Sequence, residues 1–130
     1  MPHLSFEYSR GLGRLADLDA FADGMRDAML ASGVFPLGGI RVRGFEADVQ
    51  AIADGGDYHF LDMIVRMGAG RSDDTKIEVA DALYAAARAL LEPQVTTPFM
   101  LSLEIVEIDP TLSRKAWNTV HAAVQAAADA

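Results

Sequence analysis

The chain is 130 residues long, 51% hydrophobic and free of cysteine, with 19 acidic against 11 basic side chains for a net charge of −8. That length suits one compact domain with its own core, and the missing thiols exclude disulfides, thiolate nucleophiles and cysteine-based zinc sites. The negative charge opposes nucleic acid and anionic lipid as partners. The opening MPHLSFEYSR also lacks a basic stretch leading into an apolar run, and no uncharged apolar segment reaches the roughly 18 residues of a spanning helix, so a soluble, cytoplasmic protein is expected.

In chain order, Leu4, Phe6 and Tyr8 alternate with more polar neighbours, the period of a strand with one buried side, until Gly11 and Gly13 end the run. Leu15, Leu18, Ala22, Met25 and Met29 then recur at spacings of three and four, widened by Phe21 and Ala28. This predicts an amphipathic helix from Leu15 onward, capped near Asp17 and stopped at Ser32-Gly33, with Met25 and Met29 in the core. Gly24 inside it costs about 1 kcal/mol relative to alanine. The turn Phe35-Pro36-Leu37-Gly38-Gly39 leads to a second strand at Ile40–Arg43, in which Arg41 and Arg43 share a face.

Asp54-Gly55-Gly56 marks the next turn, followed by a long strand from Tyr58 to Met67 and the loop Gly68-Ala69-Gly70-Arg71-Ser72. Ile77, Ala80, Leu83, Tyr84, Ala87 and Leu91 form a second helical stripe. Ser72 is its predicted N-cap, Asp73 and Asp74 suit the positive end of its dipole, and Glu92-Pro93 ends it. Phe99–Ile108 predicts a fourth strand and Asp109-Pro110 a turn. In the C-terminal segment Trp117, Val120 and Val124 stand at helical spacing.

Two strand–helix–strand units, about 2–49 and 57–108, with a tail over 109–130, therefore make up one α+β domain. The tandem βαβ units are expected to form a four-stranded mixed sheet with both helices on one face. Phe6, Val42, Phe60 and Leu101 are interleaved with further apolar residues such as Leu61, Met63 and Val106. The open sheet face is accordingly expected to pack against other subunits.

The chemistry starts at Met1-Pro2. If Met1 is trimmed, Pro2 carries a free secondary amine, the one position at which proline nitrogen is basic. Parallel pairing of the first two strands places Arg41 beside Pro2, and an antiparallel third strand brings Arg71 to the same end. Burial and neighbouring cations lower an amine pKa from the ordinary value of about 8 and so favour the free base. Arginines grip carboxylates bidentately, and the helix start at Ser72 adds N–H donors, so an acidic small molecule is the expected ligand. Arg43 is evenly balanced between that site and a surface ion pair. His3, His59 and His121 lack metal-ligand spacing, and neither Gly11-Leu12-Gly13 nor Gly68-Ala69-Gly70 has the spacing of a dinucleotide fingerprint. No Ser–His–Asp arrangement is readable in sequence, because such triads form in space.

The segments MPHL, EYS, SGVFPLGGIRVR, ADGGDYHF, MGAGRS, LEI, DPTLSRK and NTVH occur in this order across almost the whole chain. Together they resemble the 5-carboxymethyl-2-hydroxymuconate isomerase family of the tautomerase superfamily. The resemblance implies a homotrimer of doubled βαβ subunits, no metal or organic cofactor, and a place in bacterial breakdown of hydroxyphenylacetate-type aromatics through homoprotocatechuate. It also implies that Pro2 transfers the proton while Arg41 and Arg71 contact a polyanionic substrate. The expected activity is a proton shift in an unsaturated 2-hydroxy or 2-oxo polycarboxylate. A proline-based decarboxylase or hydratase, and a non-catalytic anion-binding trimer, are the alternatives. The chain departs from the family pattern between Gly44 and Gly56 and around Arg114–Trp117.

Overall fold

The computed structural model describes all residues, 1–130. Its elements are β1 (His3–Tyr8), α1 (Leu18–Ala31), β2 (Arg41–Glu46), β3 (His59–Gly68), α2 (Asp73–Leu91), β4 (Phe99–Ile108) and α3 (Val120–Asp129). The strands form one sheet in the order β2-β1-β3-β4. β1 runs parallel to β2, antiparallel to β3, and β3 parallel to β4. Each parallel pair is bridged by one helix, as a parallel crossover requires.

One sheet face is dry. Leu4, Phe6, Leu61, Met63, Val65 and Met67 point from the central strands into a core closed by Phe21, Met25 and Met29 of α1 and Val79, Leu83, Ala87 and Leu91 of α2. Phe6 meets Phe21 edge-on, with ring centroids 5.1 Å apart. The two helices lie side by side, and Gly24 faces Leu90 where they meet. A Cβ there would come within 2.7 Å of Leu90 Cδ1, so an alanine would require the Leu90 side chain to shift.

The opposite face has no helix over it. Leu61 and Met63 lie on the covered side with Phe6, so the exposed large apolar side chains of the open face are Phe45, Ile64, Met100 and Val106, interspersed with charge. One end of that face carries His3, Arg41, Arg43 and Arg66, which register places in adjacent rows. Toward the other end lie Glu7 and Asp62, while Glu104 shares the row of Arg43 across Ser5 and Ile64.

Two boundaries differ from the periodicity. α1 begins at Leu18, not Leu15. Gly11 at φ 86° starts a 3-10 turn over Leu12–Arg14, Leu15 is its cap residue, and Asp17 then accepts a hydrogen bond from Ala20 N at 3.0 Å. At the C-terminus Trp117 lies outside α3. The Asn118 side chain accepts from the N–H groups of Val120 (2.8 Å) and His121 (3.2 Å), which starts the helix beyond Trp117 and leaves that indole 92% exposed.

Candidate active site

Pro2 is buried at the head of β1, in the middle of the sheet. Its carbonyl accepts from Arg41 N at 3.3 Å, which joins the starts of β1 and β2. The pyrrolidine ring rests on the turn before β2. A Cβ on Gly39 would lie 3.2 Å from Pro2 Cδ, with Pro36 and His121 just beyond, so glycine at 39 is what lets the ring sit there. Met1 projects from this point into three adjoining hollows of about 350, 150 and 290 Å³. Trimming Met1 would move the chain's amine onto the buried Pro2.

The electrostatics at this end are lopsided. Arg41 is half-buried, and its Nε donates to Gly39 O at 3.2 Å while Nη2 is buried with no partner. Burial first, then Arg43 and Arg66, depress its pKa. Arg71 is held from behind: Nη2 donates to Val34 O at 2.7 Å, and the guanidinium carbon stands 5.8 Å from the centroid of the Phe35 ring. In a chain of net charge −8, none of Arg41, Arg43, Arg66, Arg71 and Lys115 has a carboxylate within 4.0 Å. The α-amine of Met1 therefore lies below its ordinary pKa, chiefly through burial and then through Lys115, Arg41 and Arg71 in that order.

His3 belongs to the same cluster. Burial and the charges of Arg41, Arg66 and Arg43 push its pKa down to about 4, so the ring is neutral at pH 7 and its Nδ1 accepts from Arg43 Nη1 at 3.3 Å. Arg43 is thus tied to His3 on the open face rather than paired with an acid. Ser72 caps α2 as its sequence position predicts, accepting from Thr75 N at 3.2 Å. Asp73 of the first turn is drawn to Lys76 at 3.1 Å.

Another hollow, of about 330 Å³, lies between α2 and β4, but its one cation, Arg88, is already paired with Glu92 at 2.8 Å. The free positive charge is concentrated around Pro2.

The family model for 5-carboxymethyl-2-hydroxymuconate isomerase matches residues 2–124, which include every residue of this cluster. The chain belongs to that family. It is 36% identical over 127 residues to the 5-carboxymethyl-2-hydroxymuconate Delta-isomerase of Escherichia coli, covering 94% of this chain and 98% of that one. A crystal structure of a 5-carboxymethyl-2-hydroxymuconate delta-isomerase superposes with a TM-score of 0.89 at 35% identity, covering 96% of this chain and 93% of the other. A fused 4-OT described as a symmetric trimer shares the fold at TM-score 0.62 and 21% identity, covering 94% and 98%. The protein is an isomerase of the tautomerase fold.

Sequence reasoning missed three features of this family member. Lys115 lies on an irregular segment, where no periodicity points inward. The depressed His3 follows only from strand register. The third feature is a Ser–His–Asp constellation that the fold assembles at the far end of β1. Ser9 Oγ lies 2.7 Å from His59 Nδ1, and His59 Nε2 lies 3.8 Å from Asp57. It is not a nucleophilic triad. Ser9 is fully buried, and its oxygen also accepts from Phe60 N at 3.1 Å, so it latches β1 to β3.

Proposed function

We propose that Pro2, once Met1 is removed, is the acid–base group of a cofactor-independent isomerisation of 5-carboxymethyl-2-hydroxymuconate. The burial of Pro2 among cations that have no acidic partner supports this most directly. The neutral amine takes the proton from the 2-hydroxyl group. The conjugated chain carries the resulting negative charge as a dienolate, and the protonated amine returns the proton to a carbon of that chain. No atom is gained or lost, and one nitrogen serves both steps.

Arg41 sits beside the amine, with an N–H aimed at no protein acceptor, and stabilises the developing oxyanion and its adjacent carboxylate. Arg71, fixed by Val34 and Phe35, holds a second carboxylate and orients the chain of double bonds. The protein acts as a cytoplasmic homotrimer whose subunits meet through the open sheet face, a reading supported by the mixed apolar and charged residues there.

The test is loss of the substrate's ultraviolet absorbance with protein shown by intact mass to begin at Pro2. Turnover should fall by roughly 10²–10⁴-fold in Pro2→Ala, the range that general acid–base catalysis contributes. Wild-type turnover matched by that variant would overturn the mechanism.

A further inference from the structure

The substrate proposed above carries three carboxylates, two at the ends of the muconate and one on the carboxymethyl arm, whereas Arg41 and Arg71 account for two. We propose that Lys115 is the third substrate-binding cation and takes the carboxylate of the arm. For the identity of the substrate this rests on the isomerase reading.

Three cations near Pro2 are candidates. Arg43 is engaged with His3, and Arg66 neither lines a hollow at Met1 nor stands among the charges that act on the amine. Lys115 instead lines two of the three hollows that meet at Met1, including the one that contains Pro2. It has no carboxylate within 4.0 Å. Of the charged groups around the α-amine, it depresses the amine pKa most.

Its segment is anchored rather than trailing. Asn118 Nδ2 donates to Gly38 O at 3.3 Å while Asn118 Oδ1 holds the start of α3. His121 packs on Gly38 so closely that a Cβ there would lie 2.8 Å from His121 Cα. The Gly38-Gly39 turn thus seats Pro2, leads into Arg41 and fixes the wall that bears Lys115. A lysine also matches the task. A point charge on a flexible stem follows an arm that rotates about single bonds, whereas a planar guanidinium suits the rigid, conjugated ends.

The experiment compares wild type, Lys115→Met and Lys115→Arg, each beginning at Pro2, on the tricarboxylate and on 2-hydroxymuconate, which lacks the arm. Loss of one charge-assisted contact should raise KM for the tricarboxylate by roughly 10- to 100-fold in Lys115→Met. KM for the dicarboxylate should move less than about threefold, and Lys115→Arg should recover most of the loss. The groups facing the amine of Met1 are Lys115, Arg41, Arg71 and His3; with the amine carried by the adjacent Pro2, deleting one cation should also shift the acidic limb of kcat/KM to higher pH. Unchanged KM for both substrates, or equal rises for both with the acidic limb unmoved, would overturn the assignment. Calorimetric binding of tricarballylate, an unreactive tricarboxylate, separates the two claims. A wild type that does not turn over the muconate but binds tricarballylate through Lys115 would sink the isomerase mechanism and leave this contact standing. Tricarballylate binding equal in wild type and Lys115→Met would sink the contact alone.

Discussion

The two strand–helix–strand units put equivalent residues at opposite ends of one sheet, and the ends have different chemistry. In the first unit His3 registers with Arg41; in the second His59 registers with Phe99. Each unit joins the starts of its two parallel strands by a backbone bond, donated by the second strand in the first unit (Arg41 N to Pro2 O, 3.3 Å) and by the first strand in the second (His59 N to Pro98 O, 3.1 Å). There the likeness stops. At the first end the α-amine of Met1 stands among cations that lack acids. At the second the chain passes through Tyr58 as ordinary amide, Phe99 replaces the arginine, and His59 is locked to a buried serine. One scaffold thus offers two similar frames, and the proposed mechanism uses the one whose cations are left without acids.

The sharpest way to break that comparison is to give the first end the second end's residue. Arg41→Phe should lower kcat/KM by roughly 10²-fold, the upper range for losing charge-assisted hydrogen bonds to a carboxylate. The melting temperature should hold or rise, because the residue removed is a desolvated guanidinium with a buried, unpartnered N–H. Steady-state kinetics and a thermal melt on the same preparation check both halves. Unimpaired turnover would mean that the register position is chemically idle.

The complementary change is at the second end. Ser9→Ala removes the hydroxyl that joins His59 Nδ1 to Phe60 N, leaving two buried polar groups without partners. Stability should drop by about 1–3 kcal/mol in urea titration while kcat and KM stay within about twofold. A collapse of activity without loss of stability would give the Ser–His–Asp grouping a catalytic part that its burial argues against.

Where the sequence was legible, local forces decided the structure. β4 alternates over Phe99–Ile108 and Ser72 caps α2 because period and capping are written in neighbouring residues. The start of α1 was obscured because Leu15 fits the apolar stripe, yet the left-handed Gly11 diverts the chain into a separate turn first. Trp117 failed for a related reason: its spacing to Val120 is helical, but the cap supplied by Asn118 intervenes. At the site, Pro2 and Arg41 could be paired from strand direction alone. Lys115 beside the Met1 amine and the latch of Ser9 on His59 depend on proximity across 114 and 50 positions of chain, which no periodicity encodes. Gly24 shows the reverse case, a residue that reads as a local cost and is explained only by Leu90 of the other helix.

The smallest effect concerns His3, the histidine of the first end. His3 titrates at about 4 in the folded protein against an ordinary value of 6.5, so between those values the unfolded chain binds the proton and the folded chain resists it. Stability must then fall as pH drops from about 6.5 toward 4, with no further contribution from this residue below that. Carboxylates such as Glu107 and Asp109, whose pKa values are lowered by their hydrogen bonds to Lys76 and Thr111, lose stability in the same direction at lower pH. The measurement is therefore a difference: urea titrations of wild type and His3→Gln at pH 7 and pH 4.5. Glutamine cannot take up the proton, yet its oxygen can still accept from Arg43, so the variant should lose less stability on acidification than wild type. Equal losses would place the imidazole outside the field of Arg41, Arg43 and Arg66. The charge contrast between the two ends of the sheet would then have to rest on the arginines and the terminal amine alone.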